Sequence, residues 1–323
     1  MKSSSLLFPV ALMRAEALSS EFIEDTYLLK PNNSPDVSAQ IALSRLGYYD
    51  NQTTNRGTPV ILVHGAFSNR GIWLDSHLQG AAKLLLENGF DPWMLELRGH
   101  GDSPENAFYH KNSLELYAQF DLPAVQAFVK EQTDQQILWV GHSSGAVCIA
   151  TALAAKYLNT DDIVGVALFG AQVSKYPFVV YLPFIRSLIK IWLLSKKRIS
   201  NPKLGPEMEP NSIGFEFLRW SGFFTRWKSQ KGFSFWKGLK DIEIPVIGFA
   251  AKKDKGDPAK HCEKLINHFS GVKTFHLLSK ANGYSKDYGH GDMVKSDSAL
   301  KEVWPLLIDW LENVKLNKLE ERK

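Results

Sequence analysis

The chain has 323 residues, 44% hydrophobic and 22% charged, and its 38 basic and 34 acidic residues leave a net charge of +4. This composition excludes disorder and low complexity, and +4 spread over such a length is too weak a field to argue for a nucleic-acid partner. The length fits one large α/β body with an insertion.

From the N-terminus, Met1-Lys2 and the apolar run Leu6–Met13 loosely resemble a signal peptide, but Pro9 breaks the run and Arg14 intrudes before any cleavage site. The expectation is therefore a cytoplasmic protein, with export as the alternative. Glu21–Leu29 and Gln40–Tyr49 read as an antiparallel leading pair. Short apolar runs follow at Val60–Val63, Trp93–Leu97, Ile137–Val140, Val164–Phe169 and Ile244–Ala250, as expected of strands buried on both faces, and Val272–Leu278 reads as a further strand. Helices are predicted between them at Leu78–Glu87, Leu114–Lys130 and Ala146–Tyr157, and a closing amphipathic helix at Leu300–Lys315. This alternation predicts a mostly parallel sheet with helices on both faces. Residues 1–172 and 241–323 are assigned to that core. Val173–Lys240 carries five prolines and many aromatics without a convincing buried strand, and reads as an inserted helical cap.

No stretch holds the roughly 18 uncharged apolar residues of a spanning helix, since Tyr176–Leu194 contains Arg186 and Lys190. Only Cys148 and Cys262 are present, without the spacing of a zinc site or a disulfide framework, which fits a reducing compartment. Cys148, among Ala146, Val147, Ile149 and Ala150, reads as a small core residue.

Three motifs carry chemistry. Gly141-His142-Ser143-Ser144-Gly145 lies directly between a predicted strand and a helix. A serine on such a turn projects its hydroxyl from the sheet edge, flanking glycines relieve crowding, and the helix start offers unpaired N–H groups. Val60–Val63 runs into His64-Gly65-Ala66-Phe67, where the N–H groups of Ala66 and Ser144 would stabilise an oxyanion if the two strands are neighbours. His64 is expected to shape this loop, and Phe67 to line either pocket or core. Serine needs a histidine to take its proton and a carboxylate to orient that histidine. The loops after the last two strands supply Asp254, with Asp257 as its rival, and His290 within Gly289-His290-Gly291. The order Ser143, Asp254, His290 suits a hydrolase sheet.

These motifs resemble the α/β-hydrolase fold family of serine hydrolases, from about Glu21 to Leu316. The turn Arg98-Gly99-His100-Gly101-Asp102-Ser103 is similar to that family's R-G-x-G-x-S loop, which supports the site structurally. The Gly141-His142-Ser143 elbow and the His290-Gly291-Asp292 loop are similar to those of lipases and esterases. Serine at position 143 argues against the family's epoxide hydrolases and haloalkane dehalogenases, which use aspartate there. No cofactor is expected. Nor is a metal, because Asp254, Asp257 and His261 match no strong ligand spacing and Lys252, Lys253 and Lys255 oppose a cation.

The bland total charge is a cancellation. Val173–Lys240 holds thirteen basic residues against Glu207, Glu209 and Glu216, a net of +10, and the rest of the chain is −6. Phe184, Ile185, Leu188, Ile189, Trp192 and Leu193 recur at helical spacing, with Arg186 and Lys190 on the other face. An aromatic cluster from Phe215 to Trp236 follows, with Trp220 and Trp227 as candidate pocket residues. The cap is expected to roof an apolar acyl pocket. Contact of its basic surface with anionic membrane at the cytoplasmic face is weighed against a merely solvated surface.

The expected function is hydrolysis of carboxylic esters with an apolar acyl group through an acyl-enzyme. Amide and thioester cleavage would use the same machinery, and a non-catalytic lipid- or partner-binding member is the alternative from another class. Oligomeric state is not legible in the chain.

Overall fold

A computed structural model describes residues 10–31, 33–49 and 57–320. The first nine residues, and with them the beginning of the signal-like run, lie outside the described residues. Its end lies in an exposed edge strand, β1 (Val10–Ala17), antiparallel to β2 (Phe22–Leu29). β2 pairs antiparallel with β3 (Ile41–Tyr48), as the leading pair predicts.

The remaining strands of this sheet are β4 (Thr58–Val63), β5 (Phe90–Glu96), β6 (Ile137–His142), β7 (Ile163–Phe169), β10 (Val246–Ala251) and β11 (Lys273–Leu278). Between β7 and β10 in the chain lies a separate short antiparallel pair, β8 (Arg198–Ser200) and β9 (Met208–Pro210). The nine-stranded sheet runs β1-β2-β3-β5-β4-β6-β7-β10-β11 and is parallel from β5 to β11.

Successive side chains of a strand point to opposite faces, and each face has its own core. Ile61, Val63, Trp93, Leu95, Ile137 and Trp139 face one way. There they meet α3 (Leu122–Thr133) and α4 (Ser144–Ala154). Val60, Leu62, Met94, Leu138 and Val140 face the other way, toward α1 (Ala81–Glu87) and α11 (Trp304–Glu320). Cys148 is buried in the first of these cores, as expected.

All four predicted helices differ from expectation at a boundary; α4 starts at Ser144 and ends at Ala154 where Ala146–Tyr157 is predicted. Gly80 starts α1 late, because its φ of +145° lets the chain pass where a Cβ would lie 2.2 Å from the Trp73 carbonyl oxygen. The helix predicted at Leu114–Lys130 is divided into α2 (Leu114–Leu116), a π turn at Tyr117–Asp121, and α3 with Pro123 in its first turn. The turn carries Asp121 to the buried Arg98 guanidinium, whose Nε lies 2.8 Å from it. The closing helix is divided between α10 (Asp297–Glu302) and α11, which restarts beside Pro305. Two further short helices, α8 (Ala259–Ile266) and α9 (Asp292–Lys295), flank β11 in the chain. No helix among the described residues is long and apolar enough to cross a membrane.

The segment between β7 and β10 also contains α5 (Pro183–Ser195), α6 (Asn211–Ser221) and α7 (Phe235–Gly238). Its second half is no separate layer. Trp220, Trp227, Phe235 and Leu239 are fully buried in the core that contains α4, and a Cβ on Gly238 would stand 2.0 Å from the Ala154 carbonyl oxygen. The boundary expected at residue 240 therefore cuts through continuous packing. Large aromatics fill the surface that the small residues of α4 leave open.

Candidate active site

β6 ends at His142 and α4 begins at Ser144, so Ser143 occupies the turn between them. Its φ of +53° is a left-handed conformation that non-glycine residues adopt at a cost. The Ser143 N–H donates to the Phe169 carbonyl at 2.8 Å, holding the turn against β7. Two glycines are required by close approach: a Cβ on Gly145 would lie 2.2 Å from the His64 carbonyl oxygen, and one on Gly141 would lie 2.7 Å from the Ala146 nitrogen.

Because β4 is the neighbour of β6, the His64-Gly65-Ala66 turn arrives beside Ser143, and a Cβ on Gly65 would lie 2.9 Å from the serine Cβ. His64 is saturated. Its Nδ1–H donates to the Gly65 carbonyl (2.8 Å) and its Nε2 accepts the Leu97 N–H (3.1 Å), while burial holds its pKa down to about 3. This is the loop-shaping role expected of it. The Arg98–Ser103 turn is structural as well: Arg98 pairs with buried Asp121, and the Ser103 hydroxyl donates to the Glu96 carbonyl at 2.6 Å.

His290 sits on the loop after β11, and its Nδ1 lies 2.5 Å from Asp254 Oδ2 and 3.5 Å from Asp257 Oδ2. Asp254 is itself fixed, its Oδ1 accepting the N–H groups of Gly256 (3.0 Å) and Asp257 (2.9 Å). Burial opposes charge on His290, but the Asp254 hydrogen bond and the charges of both aspartates outweigh it and raise the imidazole pKa. Burial pushes the Asp257 carboxyl up to about 6 against the pull of His290. The His290 carbonyl accepts from His142 Nε2 at 3.0 Å, which ties the histidine loop to the serine turn.

Nitrogen and oxygen atoms of Asp254, Asp257 and His290 come within 4.8 Å of one another, as metal ligands can. The 2.5 Å separation between Nδ1 and Oδ2 is that of a hydrogen bond. His261, grouped with these aspartates by sequence, lies instead 2.7 Å from the Ser174 hydroxyl.

Ser143, His290 and Ala66 line one cavity of about 530 Å³. Ile72, Leu204, Gly205 and Pro206 add apolar surface, and Asn69, Lys203, Asp292 and Lys295 add polar groups. Ser144 begins α4, whose first N–H groups have no partner within the helix.

Trp220 and Trp227, expected as pocket residues, do not line this cavity. Both are fully buried, with their indole N–H groups donating to the Lys228 carbonyl (3.0 Å) and the Thr151 hydroxyl (3.2 Å). Phe67 is not among the lining residues either; its backbone is engaged by the segment between β7 and β10. The wall comes instead from residues 203–206 in the β8–β9 connection. Gly205-Pro206 is the local signal of a turn there.

The model of the alpha/beta hydrolase family matches residues 60–271. Among curated proteins, the chain is 32% identical to a tear acid lipase-like protein of Mesocricetus auratus over 149 residues, 43% of this chain and 35% of that protein. It is 29% identical to gastric triacylglycerol lipase of Homo sapiens over 131 residues, 38% of this chain and 30% of that protein. The chain thus spans about a third of the length of these relatives. Among solved structures, a monoacylglycerol lipase of Paleococcus ferrophilus superposes with a TM-score of 0.55 at 18% identity, covering 80% of this chain and 96% of that one. A soluble variant of monoglyceride lipase from Saccharomyces cerevisiae superposes with a TM-score of 0.58 at 17% identity, covering 85% and 92%. At such identities the superpositions speak for the fold, and with the strands before the serine turn and the oxyanion loop inside the matched residues, the chain belongs to the alpha/beta hydrolase family.

Proposed function

We propose that this protein is a serine hydrolase that cleaves carboxylic esters with an apolar acyl group. The observation that carries the reading is the 2.5 Å contact between Asp254 and His290, the histidine that shares a cavity with Ser143. With its Nδ1–H committed to Asp254, the imidazole has Nε2 free to take the serine proton. Ser143 Oγ attacks the ester carbonyl carbon, and the oxyanion is held by the N–H groups of Ala66 and Ser144. As the tetrahedral adduct collapses, His290 returns the proton to the leaving alcohol. Water, deprotonated by His290, then attacks the acyl-enzyme and releases the acid and Ser143. Ala66, Ile72, Leu204 and Pro206 offer the acyl chain an apolar wall, and the segment between β7 and β10 acts as the cap. The relatives' printed names, lipases of several kinds, favour the same chemistry.

A peripheral contact with anionic membrane belongs to this reading. α5 turns Phe184, Leu188, Ile191 and Trp192 to solvent beside Lys190, Lys196 and Lys197. Each basic residue near an anionic surface contributes about 1 kcal/mol.

A fluorophosphonate probe is expected to label the wild type and not Ser143→Ala, and turnover of p-nitrophenyl esters should fall by about 10⁴-fold or more in that variant. A folded wild type that resists labelling would overturn the proposal.

A further inference from the structure

The basic segment between β7 and β10 has three acidic residues, and they point inward. Glu216 accepts the Leu114 N–H at 2.7 Å. Glu207 and Glu209 both engage the loop that carries Ala66. The Phe67 N–H donates to Glu209 Oε1 at 2.8 Å, the Glu207 N–H donates to the Phe67 carbonyl at 3.0 Å, and Asn69 Nδ2 donates to Glu207 Oε1 at 2.5 Å. The approach is close enough that a Cβ on Gly205 would stand 1.9 Å from the Phe67 carbonyl oxygen.

Phe67 needs this grip. Its φ of +61° places a large aromatic residue in the left-handed region, a conformation that persists where surrounding contacts over-determine it. Those contacts come from the segment on both sides of the residue. Behind Glu209 stands His100, buried, with Nε2 3.1 Å from Glu209 Oε1 and Nδ1 3.0 Å from the Arg98 carbonyl. Both ring nitrogens therefore face acceptors, the arrangement of a doubly protonated imidazolium. The nearby Arg98 guanidinium is taken by Asp121, and neighbouring His64 accepts a backbone N–H, so neither supplies the charge that Glu209 meets.

We propose that Glu209 is a positioning residue for the oxyanion loop, a carboxylate lent by the β8–β9 pair that holds Phe67 and thereby aims the adjoining Ala66 N–H at Ser143. The proposal rests on the serine-hydrolase reading above. It divides the two oxyanion donors by origin. The Ser144 N–H is set by α4, whereas the Ala66 N–H is in place only while the segment is docked. The segment therefore does more than cover the cavity: its displacement would dismantle half of the oxyanion hole.

The test uses the full chain, a p-nitrophenyl ester for turnover, and an alkylboronic acid as a mimic of the tetrahedral adduct. Removing one oxyanion donor outright costs about 10²–10³ in kcat, so loosening one should cost about tenfold or more. Glu209→Ala is expected to lower kcat and boronate affinity by the same factor, with KM within about twofold. Glu209→Gln, which keeps an oxygen for the Phe67 N–H, should recover most of both. A folded Glu209→Ala with wild-type kcat and boronate affinity, or with a loss in KM alone, overturns the assignment. Should Glu209→Ala not fold, Glu209→Asp takes its place, because its shorter carboxylate falls short of Phe67; equal kcat in the Asp and Gln variants then overturns it. A wild type that fluorophosphonate does not label would remove the hydrolase reading itself, an outcome distinct from any of these.

Discussion

Between β7 and β10, two stretches rich in large apolar residues meet opposite fates. Trp220, Trp227 and Phe235 are fully buried, whereas α5 leaves Phe184 73% and Ile191 64% exposed. The difference lies in what each stretch faces. The later aromatics meet α4, whose alanines leave space that indole and phenyl rings fill. α5 meets α6, where Leu193 packs against Gly214 so closely that a Cβ there would lie 2.6 Å from its Cδ2. Beside it, the Arg186 guanidinium donates to the Ser221 hydroxyl (2.8 Å), to the Val180 carbonyl (3.3 Å) and to the Leu218 carbonyl. An arginine with three acceptors has taken the inward side, and half of the apolar stripe, Phe184, Leu188 and Trp192, faces out. An amphipathic pattern identifies two faces of a helix; it does not say which one the rest of the protein will meet.

The comparison makes predictions of decreasing size. Trp227→Ala removes a filled volume beside α4 and should destabilise the protein by about 3–5 kcal/mol in urea unfolding; a cost below about 1 kcal/mol would break the contrast. Arg186→Ala strands acceptors between α5 and α6 and should cost about 1–3 kcal/mol, with hydrogen exchange quickening in α5 before the central sheet. The double variant Phe184→Ser/Trp192→Ser should leave stability within about 0.5 kcal/mol, yet lower co-sedimentation with anionic vesicles at low salt several-fold. Unchanged vesicle binding would remove the membrane reading of α5.

A pH profile separates that surface from the chemistry. His290 must be neutral to take a proton, and its pKa is raised despite burial because Asp254 stabilises the imidazolium. The acidic limb of kcat/KM should therefore have its midpoint above the ordinary imidazole value, with activity lost as pH falls through it. Asp254→Asn should lower kcat and move that limb to lower pH, and the α5 double variant should leave it in place. A limb unmoved in Asp254→Asn would mean that another group sets it.

Much of the sheet and of the candidate site was legible in local chemistry. Gly141 and Gly145 flank Ser143 because neighbouring backbone comes within 3 Å of where a Cβ would stand, and such a requirement is visible in the chain. The choice between Asp254 and Asp257 was not, since it turns on 2.5 Å against 3.5 Å to one nitrogen. Glu207 and Glu209 could be noticed as a minority charge in a basic segment, but their partners, Asn69, Phe67 and His100, lie more than a hundred residues away.

The order of apolar runs, the glycine-bounded serine turn and the histidine loop after the last strand were determined by the sequence alone, because burial on both faces and tight turns restrict residue type locally. Which aspartate meets His290, which face of α5 is inside, and which segment walls the cavity were decided only by the tertiary structure. Each depends on a competition among groups far apart in the chain, and that competition has no local signature.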